Sequence, residues 1–167
     1  MDTPLGWMLA CHDRIRAFMA GLRRLSVHAD WADPRATDGA RQVARYLREA
    51  LPRHGEDEDQ SLAPRLLALA LPAEVRDEIA RMTAEHQQMD AQLPALLLAL
   101  DGISAGAWPE RAAFQRHAQV YADLLLDHVG REERVIFPWV SALGPQDELE
   151  MIVEMQARRG VGGWKGP

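Results

Sequence analysis

The sequence predicts an all-α protein, an up-down-up-down antiparallel four-helix bundle with a short extra C-terminal helix. Three observations predict it. Apolar residues recur at helical spacing through most of the chain. Proline and glycine clusters interrupt that pattern at intervals suited to short turns, and short turns between long helices make neighbours antiparallel. No useful length of sequence alternates apolar and polar residues as a half-buried strand does, and no internal repeat stands out.

Each element has its own signal. The first helix is expected over residues 4–28, with Leu5, Met8, Leu9, Ile15, Met19 and Leu22 along one stripe. Asp30-Trp31-Ala32-Asp33-Pro34 ends it. The second helix carries Val43, Tyr46, Leu47 and Leu51. Pro52 should kink or restart it, because proline lacks a backbone donor and clashes with the preceding turn. An irregular segment is expected over residues 61–71, around Pro64. The third helix starts near Pro72, carries Val75, Ile79, Met82, Met89 and Leu93, and is expected to bend at Pro94. Gly102 and Gly106 mark the next break. Pro109 opens the fourth helix, with Phe114, Tyr121, Leu124, Leu125, Val135 and Ile136, and Pro138 should disturb its end. A short fifth helix is expected over residues 146–158. Residues 1–159 then form one domain, and the glycine-rich stretch 160–167 reads as a flexible tail.

Bulk properties narrow the function. The chain has 167 residues, enough for one domain with a substantial core. Its net charge of −6 argues against nucleic acid or an anionic membrane surface as partners. The single cysteine, Cys11, leaves no internal disulfide, and the N-terminus shows no basic region followed by an apolar run; a cytoplasmic location is the expectation.

The informative feature is where four histidines fall. Residues at one height on an antiparallel pair are equidistant from the connecting turn. The midpoint of His12 and His54 is Asp33, beside Pro34. That of His54 and His86 is Ala70, in the Ala70-Leu71-Pro72 break. That of His86 and His128 is Ala107, between Gly106 and Trp108-Pro109. Each of four successive helices therefore presents one histidine at a common level. His12, His86 and His128 also share the phase of their helices' apolar stripes, so these side chains point inward.

Two carboxylates join them. Glu58 follows His54 by four residues and Glu132 follows His128 by four, which puts each pair on one face, one turn apart. Glu56, Asp59 and Glu133 face elsewhere by helical rotation, with Glu133 a rival to Glu132. Asp57 lies closer in phase to His54 and is a reserve ligand or outer partner. Buried carboxylates and imidazoles are costly unless compensated, and two facing glutamates repel. A pair of cations removes both problems. The nitrogen–oxygen donor set suits iron or manganese, though zinc can occupy it. Six protein ligands do not saturate two octahedral ions, so open positions or a bridging oxo or hydroxo group complete them. Tyr46, Tyr121 and Cys11 are expected to serve in packing.

His12-Asp13-Arg14-Ile15-Arg16, His54-Gly55-Glu56-Asp57-Glu58-Asp59 with Leu62-Ala63-Pro64-Arg65-Leu66, Glu85-His86, and His128-Val129-Gly130-Arg131-Glu132-Glu133 before Phe137-Pro138 together resemble the bacterial hemerythrin-like, or HHE cation-binding, domain. The resemblance spans roughly residues 5–143. It implies two iron ions bridged by Glu58 and Glu132, and binding of O2 or NO at an open iron position. One departure stands out. Oxygen-carrying hemerythrins place two histidines on the third helix, whereas this one offers His86 alone, with Asp90 and Met82 a turn either side. A di-iron protein that binds or responds to O2, NO or peroxide is the leading expectation. A di-iron oxidoreductase, an iron donor of the iron–sulfur repair type, and a metal storage or sensing module are the alternatives.

Overall fold

A computed structural model describes residues 3–160, and these are almost wholly helical. Helix α1 (Pro4–Ser26) begins where Thr3 caps the Gly6 amide and Pro4 takes the first helical position, where a missing N–H costs nothing. Helix α2 (Pro34–Glu49) uses the same device, with Asp33 capping Arg35. The chain restarts as α3 (Leu51–Glu56) around Pro52 and continues as a π turn (Asp57–Leu62) and α4 (Ala63–Leu67). The expected irregular segment over 61–71 is therefore helical as far as Leu67. The π turn absorbs Pro64, whose absent N–H would break the ladder of a straight α-helix.

Helix α5 (Ala73–Ala105) runs unbroken through Pro94 and ends on Gly106, whose φ of 77° is the left-handed cap that glycine adopts without penalty. Helix α6 (Arg111–Arg131) is capped by Glu110 and passes into a second π turn (Glu132–Ile136) and a 3-10 turn (Phe137–Ala142) holding Pro138. Helix α7 (Pro145–Arg158) closes the described chain. The tail expected to be flexible lies outside the described residues, apart from Gly160.

Helix α1 packs on α2 and α6, and α5 packs on α2 and α6, so the four long helices close into a ring. The interior divides into two apolar clusters. One contains Ile15, Leu47, Met89, Tyr121 and Leu125; the other contains Met8, Leu62, Met82, Ile136 and Met155. On every helix the histidine identified above falls between a member of the first cluster and a member of the second. The candidate site is thus a polar layer sandwiched between two dry cores. Among the described residues no helix is long and apolar enough to cross a membrane.

Helix α7 is fastened to the first π turn. Asp57 is fully buried and pairs with Arg158 at 2.8 Å and Arg159 at 2.5 Å. Asp57 is therefore taken up by α7 and belongs to neither candidate ligand group. Removing one partner strands the other charges. Asp57→Ala should lower the unfolding free energy of the metal-free protein by about 3 kcal/mol, read from urea midpoints, and speed amide exchange in α7. An unchanged midpoint would mean that the other contacts of α7, Met151 and Met155 in the core and Glu154 with Ser61 and Arg65, hold the helix without Asp57.

Candidate metal centre

All six expected residues meet at one level. His12, His54, Glu58 and Glu132 form one group whose donor atoms lie within 4.8 Å of one another; Glu58, His86, His128 and Glu132 form a second. Glu58 aims Oε1 at His12 Nε2 (3.6 Å) and His54 Nε2 (3.4 Å), and Oε2 at His86 Nε2 (3.3 Å). Glu132 aims Oε2 at His12 Nε2 (3.3 Å) and Oε1 at His128 Nε2 (2.8 Å). Each carboxylate thus gives one oxygen to each group. Donor atoms bound at right angles around a transition-metal ion, with bonds of roughly 2.1 Å, sit about 3 Å apart, which is the spacing observed.

Hydrogen bonding does not account for this cluster. His12 Nε2, both ring nitrogens of His54, and all four oxygens of Glu58 and Glu132 are buried without a hydrogen-bond partner. Buried polar atoms in native proteins are nearly always partnered. Meanwhile His86 Nε2 and His128 Nε2 face each other at 3.0 Å. Their Nδ1 atoms point at carboxylates, so in the neutral rings, protonated there, two lone pairs would face each other, a clash that a cation or an added proton relieves. Cations among these atoms would satisfy all of them except His54 Nδ1, since each imidazole gives a metal one nitrogen, so the residues present fit a metal pair.

A ring of outer acceptors aims the imidazoles. Glu133 accepts from His12 Nδ1, Asp59 from His86 Nδ1, and Glu85 from His128 Nδ1, each at 2.9 Å. Arg16 steadies Glu133 at 2.8 Å, Thr83 steadies Asp59 at 2.8 Å, and Arg81 and Arg131 hold Glu85. Carboxylates in this position fix the tautomer and raise ligand basicity. His54 is the exception. Its Nδ1 is buried and has no hydrogen-bond partner.

Sequence reasoning placed Asp59 and Glu133 away from the centre and gave Glu85 no part in it. The missed signal is a repeat. His12 and His86, His54 and His128, Glu58 and Glu132, Asp59 and Glu133, and Pro64 and Pro138 are all separated by the same number of residues. In both halves a His-x3-Glu pair is followed at once by the acid that steadies the neighbouring helix's histidine. Asp90 belongs to neither group but lines a cavity beside them.

The sequence pattern of the hemerythrin HHE cation-binding domain matches residues 3–140. The chain belongs to this family. No curated protein matches it. The hemerythrin HHE domain is a cation-binding domain, and the paired His/Glu groups are residues of this chain that could hold a metal ion.

Protons substitute for cations when metal is withheld. Burial disfavours a charged His12, but Glu132 and Glu58 outweigh it and raise the pKa to about 10. Burial likewise opposes His86, and Asp59 with Glu58 raises it to about 10. Burial alone would raise Glu58; His54, His12 and His86 instead hold it well below the usual carboxylate range. Raised imidazoles contribute stability that is complete below about pH 6.5 and is lost as pH climbs toward 10, while the depressed Glu58 contributes stability that is lost on acidification. Chelator-treated protein should therefore melt at progressively lower temperature from pH 6.5 to 9.5. Metal-loaded protein should not, because metal binding displaces those protons and strengthens with pH. A melting temperature that rises over this range without metal would contradict the assignment of protons to His12 and His86.

Proposed function

We propose that this hemerythrin-like protein holds two iron ions in an up-down-up-down bundle and binds or responds to O2, NO or peroxide. His12 and His54 would hold one ion, His86 and His128 the other, and Glu58 and Glu132 would bridge both. The mixed nitrogen and oxygen donors favour iron or manganese over metals that prefer thiolates. An iron pair, when bound, supplies one-electron redox chemistry and open positions for a small ligand.

One observation carries the ligand-binding reading. A cavity of about 170 Å³ reaches the centre, touching His54, His86 and His128. Leu51, Met89, Leu93 and Leu125 make most of its wall apolar, which favours a small weakly hydrated molecule over bulk water. Asp90 and Tyr121 are polar groups in that wall. Burial raises the Tyr121 phenol well above its ordinary pKa, with the Asp90 charge adding to it, so its hydroxyl stays protonated and able to donate to a bound molecule. The protein's cytoplasmic location is part of the same reading.

Protein made in iron-replete cells should carry close to two irons per chain, one for each donor group. Glu132→Ala should lose them. Glu133→Gln should keep the site but weaken iron binding by about 10–100-fold, since it removes only the acceptor behind His12. Adding NO to the reduced protein, or azide to the oxidised one, should produce a new absorption band. Spectra unchanged by either ligand would turn the reading toward iron storage, and a stable protein without metal would end it.

A further inference from the structure

We infer that the cavity beside the centre is a charge filter, in which Glu56 and Asp90 at the mouth admit cations and neutral molecules and hold back anions. Ferrous iron enters by the route that neutral O2, NO or hydrogen peroxide then uses, while anionic ligands reach the centre slowly. The inference deepens the ligand-binding reading proposed above and rests on it.

The cavity is mostly apolar within and acidic at its rim. His54, Met89, Tyr121, Leu125 and His128 are buried at its base. Glu56, Gln60 and Asp90 are exposed and therefore stand at its mouth. A third acid in the wall, Asp59, is taken up by His86 and Thr83. Among the described residues no hydrogen bond or ion pair takes up Glu56 or Asp90, whereas Asp38, Glu49, Asp101 and Asp123, also exposed, each have an arginine partner. No arginine or lysine is among the described residues that line the cavity. This does not reflect a uniformly acidic surface, because a groove between α1 and α2 is lined by Arg24, His28 and Arg35 without an acid. Glu56 and Asp90 also come from separate helices, α3 and α5, so the acidity belongs to the mouth and not to one helix face.

Two uncompensated carboxylates over an apolar-walled opening act on whatever passes. A cleft lined by one sign of charge focuses its field, because the low-dielectric walls do not dissipate it as water does. A divalent cation is drawn in, an anion is repelled and a neutral diatomic molecule is indifferent. The effect falls on the rates of entry and not on coordination at the centre, since Glu56 and Asp90 belong to neither donor group.

The test is to time entry by rapid mixing: ferrous iron into chelator-stripped protein, azide into oxidised iron-loaded protein, and NO into the reduced protein as the neutral reference. Asp90→Asn should speed azide binding by about threefold, slow uptake of the doubly charged iron by more than that, and leave NO unchanged. Glu56→Gln should act in the same directions, and Asp90→Glu, which keeps the charge, should match wild type. Added salt should shrink these differences. Opposite shifts for iron and azide are the signature of charge; a variant that sped all three would mark a loosened mouth and overturn the inference. Iron and azide rates equal to wild type in both Asp90→Asn and Glu56→Gln would overturn it too. So would an iron spectrum altered in Asp90→Asn before azide is added, which would make Asp90 a ligand. A wild type that takes up iron but binds neither azide nor NO would overturn the ligand-binding reading, and the inference with it.

Discussion

Two carboxylates with nothing to hydrogen-bond lie at the middle of the bundle, and the remainder of the molecule is arranged around their charge. Glu58 and Glu132 are essentially unexposed, and none of their four oxygens finds a donor. An isolated ionised carboxylate in such a place costs several kcal/mol or more. Positive charge must therefore enter the layer, as metal or as protons on imidazole. The four histidines are positioned to accept either, which is why the layer survives between two apolar cores that would otherwise expel it.

Orientation is supplied from a second tier that lies between helices. Asp59 and Glu133 are each about 140° round the helix from the histidine that begins their motif, and Glu85 is about 100° from His86. Those angles take a side chain off the core-facing stripe and onto the flank, where the neighbouring helix passes. From there each acid reaches a histidine belonging to the next helix and not to its own. The ring of four helices is tied together by these contacts at the level where the buried charge is greatest, and Arg16 pairs with Glu133 while Arg81 and Arg131 pair with Glu85.

The sequence made the inner tier legible and hid the outer one, for a physical reason. Height along an antiparallel pair follows from counting residues to a turn, and inward direction follows from a single helix's own stripe. His12, His54, His86, His128, Glu58 and Glu132 needed only those two rules. Asp59, Glu85 and Glu133 act on residues of other helices, so the phase of one helix could dismiss them but not assign them. Asp57 was misjudged for a related reason: its partners, Arg158 and Arg159, come from α7, whose docking no periodicity reveals. The stretch after Glu58 read as irregular because Pro64 forbids a regular helix there, while the chain's actual solution, a π turn, keeps the helix going.

The two π turns also restrict how the length of this chain can change. A π turn accommodates one residue more between hydrogen-bonded partners than an α turn does. Deleting a single residue from Asp57–Leu62 or Glu132–Ile136 would let the helix close into α geometry and rotate everything beyond it by about 100°. Leu62 and Leu66, or Ile136 and Val140, would swing out of the core on one side of the deletion or the carboxylate out of the centre on the other. Insertions and deletions can accumulate in the connections between α1 and α2 or between α5 and α6, where a loop absorbs them. In these two helical segments a change of one residue is as disruptive as the loss of a ligand, so descendants of this chain must vary there by substitution alone.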